Sequence, residues 1–128
     1  MNGPAHAVGS GTAMAIAAFW ASGSDETVPK STEERIATAA AAGGLGALCG
    51  SLPDVLEPAI HPNHRQFFHS VAFGVLLGRG LLSLYRWQPD DDAGRLLRAL
   101  GVVAGGAYLT HLIMDATTAK SIPLVGKL

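Results

Sequence analysis

Four stretches of this chain are apolar and long enough to form helices, and polar segments that carry prolines separate them. Residues 4–23 (PAHAVGSGTAMAIAAFWASG) hold no charge apart from any on His6. About 20 such residues make a helix about 30 Å long, the thickness of a bilayer core. Gly9 and Gly11 within it permit close approach of another backbone. Residues 24–34 (SDETVPKSTEE) read as a polar loop. Ser31 or Thr32 can cap the next helix, and Glu33 and Glu34 suit its first turn. That second helix is expected over Thr32–Leu48, inside an uncharged run from Ile36 to Pro53 whose Gly43, Gly44 and Gly46 favour helix–helix contact. Pro53 and Pro58 mark its end and an irregular loop. A third helix is expected from near His64, after the Pro62-Asn63 turn signal, with Phe67, Phe68, Phe73 and a series of leucines. The loop from Arg86 to Gly94 contains Asp90–Asp92. These read as a solvated turn that caps the next helix, because adjacent Asp side chains cannot all face one ion. The fourth helix covers about Ala93–Thr117, and the tail TAKSIPLVGKL is an unassigned loop. No alternation of period two persists anywhere, so the expected class is all-α: an antiparallel four-helix bundle, one domain over residues 1–128.

Composition moves this picture towards a membrane. Charged residues make up only 15% of the chain against 48% hydrophobic, well below the usual quarter for a soluble domain. The net charge of −1 supplies no basic field for nucleic acid. Cys49 stands alone, which rules out an intrachain disulfide and a cysteine-rich zinc knuckle, and it reads as a small packed residue. The N-terminal apolar stretch lacks the basic start of a signal peptide and is read as mature structure. In a membrane, Lys30, Arg35, Arg86 and Arg95 would gather at the cytoplasmic pole, although Lys120 and Lys127 oppose that orientation. A soluble bundle held by Ala and Gly contacts is the alternative.

Titratable groups are concentrated in Gly50–Ser70 (GSLPDVLEPAIHPNHRQFFHS). In an up-down-up-down bundle, starts of odd helices meet ends of even ones. His6 starts the first helix, Asp54 follows the second, His64 and His69 start the third, and His111 and Asp115 end the fourth. All six are therefore expected at one pole. His111 and Asp115 are four apart and share a helix face. Imidazole nitrogen and carboxylate oxygen are the common ligands of zinc and similar divalent ions, so the expected cofactor is a divalent metal, zinc first, as one or two ions. Glu57 is expected to be solvated, although it is close enough in sequence to Asp54 to join a second ion, and His61 reads as a cap or satisfied surface group. Arg65 is expected to pair with a carboxylate or bind a phosphate in bidentate fashion.

Three segments, GSLPD, HRQFFHS and HLIMDATTAKSIPL, together with an early His, resemble in order and spacing the YdjM-like family of membrane-bound metal-dependent hydrolases. That family carries GSLLPD, HRxxTHS and HxLLDxxTPxGIPL. The resemblance implies an α-helical hydrolase of the bacterial-type inner membrane, distantly similar to zinc-dependent phospholipase C and P1-type nucleases. It places the motif residues on His6, Asp54, His64, Arg65, His69, His111 and Asp115. Leu56 stands where the family has a second acid, Phe68 where Thr is common, and Ala119 and Ser121 replace a Pro and a Gly.

The leading expectation is a metal-dependent hydrolase acting on a phosphate ester or lipid-like substrate. Asp54 or Asp115 would position the attacking water or take its proton, and Arg65 would stabilise the developing oxyanion. One alternative is a non-catalytic membrane protein whose ion merely clamps helix ends. Another is a metal-free helical component that works through partners.

Overall fold

The structure, a computed structural model, describes residues 3–24, 29–58, 67–118 and 122–125. It contains α1 (Gly3–Gly23), α2 (Thr32–Cys49), the short α3 (Leu52–Leu56), α4 (Val71–Arg86) and α5 (Asp92–Ala116). The class is all-α, and the four long helices lie in the expected order.

Local chemistry sets the helix starts. Ser31 accepts a hydrogen bond from the Glu34 amide, and the Glu34 carboxylate accepts one from the Ser31 amide. This reciprocal pair satisfies two amides that a helix start leaves open. Ser31→Ala is expected to cost about 1 kcal/mol, read as a lower thermal unfolding midpoint. Asp91 caps α5 by accepting from the Gly94 amide at 2.7 Å, so the acidic run acts as the turn it was expected to be.

Two boundaries differ from the sequence reading. The third long helix starts at Val71, with Ser70 as its cap, and not near His64. Ser70 Oγ accepts from the Phe73 amide at 3.1 Å, which fixes the start there. His69 consequently sits in the turn before the helix. The expected irregular loop after α2 contains α3, which Pro53 helps start, since a proline in the first turn loses no helical hydrogen bond. Residues 122–125 of the tail, unassigned from sequence, lie against the start of α4. The carbonyls of Pro123 and Leu124 accept from the amides of Val71 and Ala72 at 2.9 and 3.0 Å. His61, His64, Arg65, Ala119 and Ser121 lie outside the described residues.

Helix α5 is the hub. It packs against α1, α2, α3 and α4, and α1 packs most closely on α2. That last contact depends on missing side chains: a Cβ on Gly11 would lie 2.9 Å from the Gly43 carbonyl oxygen and 3.1 Å from Ala47 Cβ. Helix α4 seats Leu81 and Leu84 in notches at Gly105 and Gly101 of α5 and buries none of its residues fully. At the pole away from the polar cluster, arginines latch the helix ends. Arg35 donates to the Phe19 carbonyl and lies 4.1 Å over the Phe19 ring. Arg98 donates to the Leu84 and Tyr85 carbonyls.

The interior is inverted relative to a water-soluble bundle. Among the described residues, the buried apolar side chains are Ala42, Pro53, Ala107, Tyr108 and Leu112, whereas the buried polar ones are His6, Ser10, Ser22, His69, Ser70, His111 and Asp115. Val8, Ile16, Trp20, Ile36, Leu82, Leu97 and Ile113 are among many large apolar side chains that face outward. Such a surface is costly in water and favourable in lipid. The segments Thr32–Leu56 and Asp92–Ala116 are long and apolar enough to cross a membrane, with mean hydropathy 1.4 and 1.5.

Candidate metal centre

The polar residues of the interior collect at the pole where α1 begins and α5 ends. His6 reaches in from α1, Asp54 from α3, His69 from the turn before α4, and His111 and Asp115 from one face of α5. Those two belong to the stripe Ala107, Tyr108, His111, Leu112 and Asp115, which is the buried face of that helix. The Ser10 hydroxyl donates to the Ala107 carbonyl at 3.0 Å and joins α1 to α5 close to the cluster. The Tyr108 hydroxyl donates to the Phe68 carbonyl at 3.2 Å and holds the turn that carries His69.

Asp54 Oδ1 lies 3.5 Å from His69 Nε2 and 3.6 Å from His111 Nε2, and Asp54 Oδ2 lies 3.5 Å from His6 Nδ1. Asp115 Oδ1 lies 3.1 Å from His6 Nε2, and Asp115 Oδ2 lies 3.6 Å from His111 Nε2 and 3.9 Å from His69 Nε2. The His6 and His111 rings are 3.8 Å apart, centre to centre. Bonds of about 2.0–2.1 Å to a tetrahedral ion put neighbouring ligand atoms roughly 3.3 Å apart. The observed separations fall around that value.

Hydrogen bonding does not account for His6 or for the inward nitrogen of His111. Both ring nitrogens of His6 and Nε2 of His111 are buried and make no hydrogen bond among the described residues. Each buried polar atom left in this way costs about 1–3 kcal/mol. Lone pairs that converge on a shared cation recover that cost. Two subsets, His6/His111/Asp115 and Asp54/His69/His111, have donor atoms all within 4.8 Å of one another. The His/Asp group therefore has the chemistry and spacing to hold a metal ion.

Orientation comes from behind the rings. The Gly50 carbonyl oxygen lies 2.6 Å from His111 Nδ1. A carbonyl only accepts, so Nδ1 carries the proton and the Nε2 lone pair faces the cluster. Glu57 Oε2 lies 2.8 Å from His69 Nδ1, and the same carboxylate accepts from the amides of Phe68 and His69 at 3.0 and 3.2 Å. Glu57 is thus not the solvated acid expected from sequence. Its place three residues after Asp54, beside the Leu56 departure, was the available signal. The Gly50 carbonyl gave none, since a backbone oxygen leaves no mark on residue type.

Of the seven motif residues, the structure brings His6, Asp54, His69, His111 and Asp115 together. His64 and Arg65 fall outside the described residues. Asp54 reaches solvent, with its side chain 37% exposed, whereas His6, His69, His111 and Asp115 are buried.

Comparison with known proteins agrees with this architecture. The family described as YdjM inner membrane protein matches residues 1–125. No curated protein and no solved structure matches the chain. A match over nearly the whole length, on a helical frame with apolar side chains turned outward, means that the chain belongs to the YdjM inner membrane protein family.

Proposed function

We propose that this inner-membrane protein is a metal-dependent hydrolase of a phosphate ester or lipid-like substrate. His6, His69, His111 and Asp115 would hold one divalent ion, zinc before others, with Asp54 at its open side. The single observation that supports this most is that both ring nitrogens of His6 and Nε2 of His111 are buried without a hydrogen bond among the described residues, at ligand spacing from the Asp54 and Asp115 carboxylates. A bound divalent ion would supply Lewis acidity and bring the pKa of its water to about 7.

The chain's own residues divide the remaining work. The Gly50 carbonyl holds His111 with Nε2 inward. Buried Asp115, on the same face of α5, fixes the depth of the site. Asp54 is the partly exposed member, so the open side of the cluster lies along it, and it takes the proton of the attacking water there. The outward apolar surface and the inner-membrane location favour a substrate with an apolar portion. Arg65 is assigned the developing oxyanion, as the sequence motif suggests.

Full-length protein in detergent tests this reading with a phosphodiester chromogen and with phospholipid vesicles as substrates. Hydrolysis should vanish on chelation, return with zinc, and fall about 10²–10⁴-fold in Asp54→Asn. Metal-dependent hydrolysis of neither substrate, in protein that retains its ion, would favour the non-catalytic clamp. Chelation is also expected to lower the thermal midpoint. An ion present at 100 times its Kd contributes about 2.7 kcal/mol to the folded state. A midpoint insensitive to chelator and to added zinc would contradict an ion held by the folded chain.

A further inference from the structure

We propose that Glu57 is the positioning residue of His69: it sets the ring's tautomer and fixes the backbone that carries it. The proposal rests on the metal-site reading for its affinity effect but not for its tautomer effect. Glu57 stands one residue beyond the place taken here by Leu56. Asp54 lies in α3, and Glu57 is the residue that ends it. Asp54 faces the cluster, and Glu57 reaches behind it to the turn before α4.

The geometry constrains the chemistry closely. Oε1 accepts from the Phe68 amide at 3.0 Å. Oε2 accepts from the His69 amide at 3.2 Å and lies 2.8 Å from His69 Nδ1. An ionised carboxylate only accepts, so the proton of His69 resides on Nδ1. Nε2 is left with its lone pair, and Nε2 is the atom that lies 3.5 Å from Asp54 Oδ1. The negative charge behind the ring also makes Nε2 a stronger donor to a cation. Holding two successive amides and the ring together keeps the imidazole from turning about its own backbone. Glu57 is itself anchored, with its amide donating to the Pro53 carbonyl at 2.9 Å, and its side chain is only 10% exposed.

Two readouts test this on the full chain in detergent. The first is zinc affinity, by competition with a chromogenic chelator, for native protein, Glu57→Ala, Glu57→Gln, His69→Ala and the double variant Glu57→Ala/His69→Ala. Glu57→Ala should weaken binding about 10–100-fold. Glu57→Gln keeps an acceptor for Nδ1–H and should recover most of that loss. In the His69→Ala background, Glu57→Ala should cost nothing more, because the two residues act through one ligand. Equal losses in both backgrounds would overturn the proposal and leave Glu57 as a staple of the turn.

The second readout is the nitrogen-15 spectrum of histidine-labelled, metal-free protein. His69 should carry its proton on Nδ1 in the native chain and in Glu57→Gln, and should move towards Nε2–H in Glu57→Ala. A tautomer unchanged in Glu57→Ala would overturn the proposal. If the native protein takes up no zinc at all, the metal reading fails, and the tautomer measurement still decides whether Glu57 positions His69.

Discussion

His111→Ala is expected to strip the divalent ion from the purified protein while leaving the helical frame standing. His111 Nε2 is close to both carboxylates, at 3.6 Å from Asp54 Oδ1 and 3.6 Å from Asp115 Oδ2, and it belongs to both donor subsets. Loss of a group that only orients a ligand typically costs 10–100-fold in metal affinity, so loss of this ligand should cost more than about 100-fold. The substitution also removes the hydrogen bond to the Gly50 carbonyl, which then lies buried. Some stability should be lost as well, about 1–3 kcal/mol for an acceptor left unsatisfied. Elemental analysis of the variant beside the native protein checks the first effect, and thermal unfolding without metal checks the second. Equal metal content in the two proteins would remove His111 from the site.

Gly50→Ala should produce the largest structural effect of a single methyl group. A Cβ at that position would lie 2.4 Å from Ser10 Cβ and 2.9 Å from the Gly46 carbonyl oxygen. Neither is the free end of a flexible side chain, so α1 has to move away from the end of α2. Overpacking of this kind costs about 1–3 kcal/mol. The shift carries consequences for the cluster, because Ser10 ties α1 to α5 at Ala107 and Gly50 supplies the carbonyl that orients His111. Weaker zinc binding should therefore accompany the lower unfolding midpoint. Gly44→Ala is the matched control. Nothing lies within 4 Å of its added Cβ, and in mid-helix the change should stabilise by about 0.5–1 kcal/mol without touching zinc affinity. If both variants bind zinc like the native protein, the close approach of α1 and α2 does not support the site.

The sequence carried the helices and the shared pole because both follow from simple periodicity. Apolar runs gave α1, α2 and α5 to within a residue or two. Alternating chain direction then predicted that His6, Asp54, His64, His69, His111 and Asp115 would meet, and all but His64, which lies outside the described residues, do so. The four-residue spacing of His111 and Asp115 needs only one helix and no tertiary knowledge. What stayed hidden depends on how the chain returns. The start of α4 was placed too early because residues 64–70 hold no strong breaker, and Ser70 as a cap is decided by the turn geometry in front of it. Glu57 looked solvated because its role exists only once Phe68 and His69 come back beside it. The Gly50 carbonyl and the tail carbonyls of Pro123 and Leu124 act through backbone atoms, which residue types do not reveal. The peripheral seat of α4 was equally hidden. Its leucines match notches at Gly101 and Gly105 of α5, and hydropathy alone cannot tell that surface from one facing lipid.

The most direct measurement is anomalous X-ray diffraction from crystals of the native chain grown with zinc, collected above and below the zinc absorption edge. One strong peak is expected within the group His6, Asp54, His69, His111 and Asp115, at bond distances of about 2.0–2.2 Å from the histidine nitrogens and the Asp115 oxygen. A peak elsewhere, or none at that pole in protein saturated with zinc, would contradict the metal-site reading.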